Sequence, residues 1–568
     1  MELNPPSVPT APEQGGSPAP WLLAAAALFP LLAALRHLDD NSLTSWAWVL
    51  EGRDLVGLWV LHLVAIGVAW ALSGRALPER WHLPAALFGA FAAGIALAGE
   101  PEVVVDASRY LVQAKHLELL GPAAFVRDWG GELPAWTDLP LPGFLYGLDF
   151  TLFGEHRLPQ QCFTAALFAL TAFATARIGG LLWGEATGAR GALLLLAIPC
   201  LLVQVPLLMA DVPAMAAVTV ALWLLLEALE RGGAGRVALA ALALAAALLA
   251  KYSTWVLLCG GGGIVLLLEA LRRRWASVGR GVVVAGLGAL APALFALAKP
   301  SLVRSQLALL ASFQWEGLRR WVESYPSTFL FQAHPLLAGA ALFALWQGWK
   351  ARDRRVLVAA ALPLVLFALG SQRTRYLMPA FPMIALLAAS GLESLPGRTR
   401  RFAALVAVGF SLVTVFATYL PFLSWVNTAN LQAAGRFLDE RKVAVAEVTA
   451  VAAPAVAINP EVAIPLLDYH TAARIVVHAP SPPSPSAEEL RTNSFAFTWK
   501  QPLPAWYRTG DPSPAGAAQV LITGDPDADI PAEVALKVGV RPPDAVFVRD
   551  AIFSYRTHVF IWLSRDGR

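Results

Sequence analysis

Six charged residues that could do chemistry, with three tyrosines beside them, lie in short segments between long apolar blocks: Asp106, Asp138, Asp211, Lys251, Arg373, Arg375, Tyr110, Tyr252 and Tyr376. A charge at the centre of a membrane helix costs roughly 2.5 to 3.5 kcal/mol, so ionisable groups at a membrane are usually functional. Arginine binds phosphate oxygens through a fork of N–H donors, and lysine acts as a point charge. A carboxylate at hydrogen-bonding distance takes a proton from a hydroxyl. These residue types suit a substrate with a phosphate and a proton to be removed.

The composition is that of a protein that crosses a membrane several times. Of the 568 residues, 57% are hydrophobic and only 15% are charged, whereas a soluble domain carries about 25% charged residues. The net charge is +3, and no basic stripe is interleaved with exposed aromatics, which argues against a nucleic-acid partner. The three cysteines lie in apolar blocks, so the C-terminal polar region has no disulfide framework.

A membrane span needs about 20 apolar residues, and about thirteen segments are expected to form one. They lie near residues 21–36, 55–73, 82–98, 161–182, 190–207, 211–230, 236–250, 253–271, 281–298, 329–348, 355–371, 376–394 and 402–424. The glycines at 260–263 fall inside one of them and favour close helix packing. The sequence therefore predicts an α-helical polytopic membrane protein.

Arginine-rich gaps alternate with gaps that hold the candidate site residues. The positive-inside rule places the arginine-rich gaps, and with them the N-terminus, in the cytoplasm. The candidate residues then lie on the periplasmic or extracytoplasmic face of a cytoplasmic (inner) membrane. The parts of the chain follow in order: a disordered tail (1–20), N-terminal transmembrane helices (21–98), a first large outer loop (99–160), a transmembrane core (161–425) and an extracytoplasmic α/β domain (426–568).

The first large outer loop is expected to contain an amphipathic helix over residues 103–120, ended by Gly121 and Pro122. Asp106, Arg109, Tyr110 and Gln113 share one face of it by their spacing. The C-terminal domain is expected to have a helix over Leu431–Arg441. It is also expected to have four β-rich runs: Lys442–Val451, Ala473–His478, Gln519–Thr523 and His558–Leu563.

Each candidate residue has a structural alternative. Asp106 and Asp211 could be helix N-caps, and Asp106 could equally be a solvated acid. Lys251 and Arg373 could be cations that reach to the membrane interface. His156 and His334 lack a carboxylate at fixed short spacing, which weakens the case for a metal site. No cofactor is firmly predicted, and a divalent metal stays possible.

The order of several motifs resembles the GT-C superfamily of glycosyltransferases that use polyprenyl-phosphate sugars, in the branch of protein O-mannosyltransferases and aminoarabinose lipid A transferases. The motifs are the acid-led helix at Asp106, Asp138-Leu-Pro-Leu-Pro-Gly-Phe-Leu-Tyr146, Phe153-Gly154 with Arg157, Gly188 to Pro199, Asp211-x-Pro213, Leu248-Leu-Ala-Lys251-Tyr252 and Arg375-Tyr376-Leu-Met-Pro379-Ala-Phe-Pro382. The resemblance covers about residues 82–425.

The resemblance implies an inverting transfer on the non-cytoplasmic face, from a polyprenyl-phosphate-linked sugar to the hydroxyl of an acceptor lipid, glycan or protein. Asp106 would be the general base and Asp211 the second catalytic acid. The Lys251-Tyr252 and Arg375-Tyr376 pairs would hold the donor phosphate. We add Arg373, Tyr110 and Asp138 as expected substrate contacts.

The chain departs from the family pattern in its first loop and at its start. Ala107 and Ser108 stand where the family often has a second acid, which weakens the case for a metal. Two helices also precede the span that leads into the first large loop. The alternatives are a secondary transporter, which would place polar groups near the membrane midplane in related halves, and a non-catalytic or polymerase-type cell-envelope glycan protein.

Overall fold

The computed structural model describes most of the chain, in these segments: 19–41, 44–314, 323–370, 373–452, 458–484, 486, 495, 498–499, 502–508, 517–525, 530–549 and 557–564. The tail expected over residues 1–20 lies outside them except for its last two residues. The chain forms two compact units. The first comprises Met1–Leu97, Gln161–Pro206 and Ala210–Pro421, and the second comprises Ala98–Gln160, Leu207–Met209 and Phe422–Arg568.

Apolar helices dominate the first unit. Within the described residues, seven helices are long and apolar enough to cross a membrane: Leu55–Ser73, Arg157–Trp183, Asp211–Arg231, Tyr252–Leu271, Trp275–Ala298, Thr374–Leu392 and Gly397–Val426. Shorter helices are Ala19–Ala34, Trp46–Val49, His82–Ile95, Glu185–Leu194, Pro199–Gln204, Ala234–Ala250, Pro300–Leu309, Pro335–Ala351 and Arg354–Ala368. The prediction of a multi-pass helical membrane protein is confirmed, but the number of thirteen spans is not.

The continuous helix expected over residues 190–207 is wrong. The α-helix ends at Leu194, a 3₁₀ turn follows, and Ile198 is extended with φ −115° and ψ 94°. Pro199 then starts the next helix, Pro199–Gln204. A proline cannot donate to the helix and disfavours the helical conformation of the residue before it, so the break falls at this position.

The glycine run at 260–263 brings two helices close together, as expected. A Cβ on Gly260 would lie 2.6 Å from the Val365 side chain, and one on Gly261 would overlap the Leu362 side chain. A Cβ at either position would force the facing side chain to shift, so the glycines allow the helices Tyr252–Leu271 and Arg354–Ala368 to pack closely.

The second unit contains a five-stranded mixed sheet. Its strands are β1 (Val445–Val451), β2 (Arg474–Val476), β3 (Ala518–Thr523), β4 (Ala545–Arg549) and β5 (Thr557–Trp562), in the order β2-β1-β3-β5-β4. Strand β1 is parallel to β2 and β3, and β5 is antiparallel to β3 and β4. The four expected β-rich runs correspond to β1, β2, β3 and β5, whereas β4 was not predicted.

In the described part of the second unit, five α-helices accompany the sheet: Ala107–Asp128, Pro140–Phe153, Ala429–Glu440, Ala463–Asp468 and Ala532–Val538. The helix expected from residue 103 begins four residues later, at Ala107. Its expected end appears as a kink, because Gly121 has φ 81° and ψ 169° and Pro122 follows. Only glycine adopts such a backbone conformation readily, so the helix direction changes here.

Ion pairs join the first large loop to the C-terminal domain inside the second unit. Lys115 pairs with Asp468 and, at 3.1 Å, with Glu155. The Tyr507 hydroxyl donates to Asp468 at 2.6 Å. The C-terminal domain therefore holds the helix that begins at Ala107.

Candidate functional site

Asp211 in the first unit holds two cations from distant parts of the sequence. Lys251 Nζ lies 2.6 Å from Asp211 Oδ1, and Arg375 Nη2 lies 3.0 Å from Asp211 Oδ2. The Asp211 side chain is 1% exposed, and those of Lys251 and Arg375 are 23% and 17% exposed. One carboxylate and two cations leave a formal charge of +1 on this trio. We call these three residues the Asp211 trio.

The ends of helices bring the trio together. Asp211 is the first residue of the helix Asp211–Arg231, where a carboxylate also interacts favourably with the helix dipole. Lys251 is extended, with φ −162° and ψ 143°, between the helices Ala234–Ala250 and Tyr252–Leu271. The capping alternative for Asp211 does not hold, since the N-cap is Ala210 and no side chain caps this helix.

Aromatic and cationic neighbours surround the trio. The Tyr376 ring centre lies 4.8 Å from Lys251 Nζ and 5.6 Å from Arg373 Cζ, a distance at which a cation is attracted to an aromatic face. Four expected residues therefore gather around Asp211. Tyr252 differs, because its hydroxyl donates to Gln306 Oε1 at 2.5 Å.

A second cluster lies in the second unit, around Arg109. Its guanidinium is 3.1 Å from Asp106 Oδ1 and 3.5 Å from Asp138 Oδ2. The Tyr110 hydroxyl donates to Asp138 at 3.1 Å, and Gln113 Nε2 donates to it at 3.4 Å. The predicted helix face thus meets Asp138, which lies 25 residues or more along the chain. We call these five residues the Arg109 cluster.

The two acids of the Arg109 cluster have different environments. The side chain of Asp138 is 9% exposed and that of Asp106 is 17% exposed. Burial raises the pKa of Asp138, and the Asp106 carboxylate raises it further, against the lowering effect of Arg109. Asp106 occupies the N-cap position of the helix Ala107–Asp128, as one alternative expected, but its side chain makes no capping hydrogen bond. Asp106 is the more accessible of two acids that share one arginine.

Sequence reasoning missed two buried acids near these clusters. Glu102 is 2% exposed, pairs with Arg157 and accepts the Leu208 N–H at 2.9 Å. Glu323 in the first unit accepts the Thr374 N–H at 2.6 Å. Both lie in polar loops, where a carboxylate is ordinarily solvated, and neither partner is close in sequence, so no local pattern pointed to them.

A cleft that opens to solvent lies beside Arg109, inside the second unit. The first large loop and the C-terminal domain both line it, and its walls are mostly apolar. The lining residues are Ser108, Arg109, Val112, Pro134, Glu461, Val462, Pro465, Pro502, Leu503 and Pro504.

The candidate metal-binding histidines are not grouped with other ligands in the described segments, which contain no set of three or more His, Cys, Asp and Glu that could hold a metal. His334 has a structural role, since its Nδ1 accepts the Leu336 N–H at 3.1 Å and caps the helix Pro335–Ala351. His156 lies in the turn before Arg157.

Part of the chain matches a known family, and most of it matches a known fold. Residues 137–297 match the family model of dolichyl-phosphate-mannose-protein mannosyltransferase. The crystal structure of ArnT from Cupriavidus metallidurans bound to undecaprenyl phosphate is similar with a TM-score of 0.53 and 14% identity, over 89% of this chain and 98% of that chain. The apo structure of ArnT from Cupriavidus metallidurans gives a TM-score of 0.51 and 13% identity over the same shares. No curated protein matches the chain significantly.

Proposed function

We propose that this chain, a multi-pass membrane protein with the GT-C fold seen in ArnT, is an inverting glycosyltransferase. It would move a sugar from a polyprenyl-phosphate-linked donor to the hydroxyl of an acceptor lipid, glycan or protein. By the positive-inside argument the reaction takes place on the outer face of the membrane, with the N-terminus in the cytoplasm.

The Asp211 trio carries this proposal. Two cations at the ends of membrane helices share one carboxylate that is 1% exposed, and the group keeps a formal charge of +1. Lysine has three N–H donors and arginine has five, and neither side chain has an acceptor. A phosphate is the ligand that such a pair of donors binds best, because arginine meets two of its oxygens in a fork.

In this proposal Asp211 is a positioning residue. Its two oxygens face Lys251 and Arg375 at 2.6 and 3.0 Å, so it orients both donors rather than taking a proton from substrate. Arg373 and Tyr376 stand beside the pair and complete the side of the proposed phosphate site.

Asp106 is the proposed general base. The acceptor oxygen attacks the anomeric carbon as the bond from that carbon to the phosphate oxygen breaks, and the acceptor proton passes to the Asp106 carboxylate. Polyprenyl phosphate leaves with the electron pair of the broken bond. Single displacement inverts the anomeric centre. Arg109 and Asp138 would hold Asp106 in place, since both acids contact the same guanidinium.

The relatives support the class of donor. The matched family is described by dolichyl-phosphate-mannose, and the ArnT structure holds undecaprenyl phosphate. Both molecules are polyprenyl phosphates or their sugar derivatives. A transporter would place its polar groups near the membrane midplane, whereas Asp211 begins a helix and Lys251 separates two helices.

Binding of undecaprenyl phosphate to the protein in nanodiscs tests the phosphate site. We expect Lys251→Ala and Arg375→Ala to weaken binding by about tenfold or more, as for the loss of a hydrogen bond to a charged group. Lys350→Ala is the control, because Lys350 lies at the end of the helix Pro335–Ala351 and contacts the Trp346 ring. Equal binding by all four proteins would rule out this phosphate site.

A further inference from the structure

The loop after the first helix carries a buried carboxylate that the proposed reaction does not use. Asp39 is 4% exposed. It accepts hydrogen bonds from the Trp46 N–H at 2.8 Å, from Gln332 Nε2 at 3.0 Å and from the Ser327 hydroxyl. Because a buried carboxylate without donors is strongly destabilising, these bonds tie the loop to the segment Ser327–Ala333.

The residues next to Asp39 extend these contacts towards Arg375. The Asp40 carboxylate accepts the Ser324 N–H at 2.8 and 3.0 Å. Asn41 Nδ2 donates to Thr374 Oγ1 at 3.5 Å, and Thr374 directly precedes Arg375. A loop near the N-terminus thus reaches the backbone that carries a proposed phosphate ligand.

Glu323 completes the contact at the same residue. It is 6% exposed and accepts both the N–H of Thr374, at 2.6 Å, and the Thr374 hydroxyl. Thr374 begins the first α-helical turn, Thr374–Leu377, of the membrane helix Thr374–Leu392, and the N-cap residue Arg373 makes no capping bond through its side chain. The first N–H groups of a helix need partners from outside the helix, and here Glu323 supplies one from a distant segment.

A purely structural interpretation is that these bonds only attach the N-terminal loop to the helices. An apolar contact would attach the loop as well, without removing two acids from water. A satisfied polar network has a further effect, since it fixes one conformation of the groups that it joins. Glu323 accepts from Thr374 directly, whereas Asp39 accepts the Asn41 N–H at 3.1 Å and the Asn41 side chain contacts Thr374. The conformation that these bonds fix is therefore that of the backbone beside Arg375.

We propose that Asp39, Asn41, Glu323 and Thr374, which we call the Thr374 clamp, are positioning residues that hold Arg375 in the geometry required to bind the donor phosphate. This inference rests on the proposed function of Arg375. The loop between the helices Ala19–Ala34 and Leu55–Ser73 then has a role as well. It supports the donor site through residues near the start of the first unit.

Donor affinity and kinetics in variants of the clamp test this inference. We expect Glu323→Ala to weaken binding of undecaprenyl phosphate in nanodiscs about tenfold. The donor KM should rise by the same factor while kcat stays unchanged, because the clamp acts on binding. Glu323→Gln keeps an acceptor oxygen for the Thr374 N–H and should restore most of the affinity.

Thr374 offers a milder pair of variants for the case in which Glu323→Ala does not accumulate. Thr374→Val keeps the shape and removes the hydroxyl that faces Glu323 and Asn41, so it should weaken donor binding in the same direction by a smaller factor. Thr374→Ser retains a hydroxyl and should bind like the wild type.

Glu393→Ala is the matched control. Glu393 is also a partly buried acid of the first unit, paired with Arg190 and Arg400 and accepting the Thr187 hydroxyl at 2.9 Å. It follows the helix Thr374–Leu392 directly, so it lies about 28 Å from Thr374 along that axis. Its loss should lower thermal stability and leave donor affinity unchanged. An equal loss of affinity in this control would mean general destabilisation and overturn the inference.

Two further outcomes are distinguishable. If Arg375→Ala loses donor affinity while Glu323→Ala and Thr374→Val bind like the wild type, the proposed role of the Thr374 clamp is wrong. The proposed phosphate site is then still supported. If Arg375→Ala itself binds like the wild type, the proposed phosphate site is wrong, and the clamp with it.

Discussion

Lys251 Nζ lies 2.6 Å from Asp211 Oδ1, although 40 residues separate the two along the chain. The acid begins one membrane helix, and the lysine separates two others. Arg375 joins the same carboxylate from 164 residues away. Two cations from distant parts of the sequence therefore face one carboxylate that is 1% exposed.

Replacing Asp211 should destabilise the fold as well as reduce activity. Asp211→Asn leaves Lys251 and Arg375 beside each other without a counter-charge, and breaking a buried ion pair costs about 3–5 kcal/mol. The midpoint of thermal unfolding in detergent measures this loss. Asp353→Asn is the control: its partner Arg355 is two residues away and the Asp353 side chain is 21% exposed, so we expect a change below about 1 kcal/mol. Equal stability of the two variants would contradict the role of Asp211.

Removing the proposed base should stop transfer and spare donor binding. We expect Asp106→Asn to lower kcat by about 10²–10⁴-fold, the usual contribution of a general base, with the affinity for undecaprenyl phosphate unchanged. Glu132→Gln, which replaces an exposed acid of the same loop, should transfer sugar like the wild type. Full activity of Asp106→Asn would eliminate Asp106 as the base.

The second unit should lose stability as the pH rises through the acidic range. Burial raises the pKa of Glu155 from 4.5 to about 7, and the groups that face it are Lys115, Asp468 and Glu118. The folded state therefore binds more protons than the unfolded chain between these two values, so this contribution to stability falls from about pH 4.5 to about pH 7 and is constant above it.

Glu155→Gln removes that titration while keeping the shape of the side chain. Melting temperatures measured across this pH window should fall less steeply in the variant than in the wild type. Identical slopes would show that Glu155 does not hold its proton in the folded protein.

Filling the cleft beside Arg109 should weaken acceptor binding rather than donor binding, because the C-terminal domain lines the cleft. We predict that Val112→Trp, which fills the cleft from the helix, raises the acceptor KM and leaves donor affinity unchanged. Val126→Trp is the control on the same helix, since Val126 is 52% exposed and does not line the cleft. An effect on donor affinity alone would mean that the acceptor does not bind in this cleft.

Charge and hydropathy in the sequence were enough to predict a multi-pass helical membrane protein, but not the number of its spans. They also marked the residues of the Asp211 trio and the Arg109 cluster as candidates. The proposed chemistry requires ionisable side chains beside apolar helices, and such side chains are easy to identify between long apolar segments of the sequence. Lys251 and Arg375 were noticed in the same way, as cations in gaps that the positive-inside rule predicts to lie opposite the arginine-rich loops.

Long-range contacts of ordinary loop residues could not be predicted in this way. Asp39 and Ser327 are 288 residues apart, and acids in polar loops are common, so nothing local marks this pair as buried. The strand Ala545–Arg549 was missed for a different reason: it is a short edge strand that begins two residues after Pro543, where a turn is the usual expectation. The break at Ile198 was missed because its apolar sequence continues through the proline.

The central claim is that the chain transfers a sugar from a polyprenyl-phosphate donor, and release of free polyprenyl phosphate measures this directly. The purified protein in nanodiscs would be incubated with a panel of polyprenyl-phosphate sugars and candidate acceptors, beside Asp106→Asn and Lys251→Ala. We predict release from at least one donor by the wild type and its loss in both variants. Absence of both release and donor binding across the panel, in protein that is folded by its melting transition, would contradict the account.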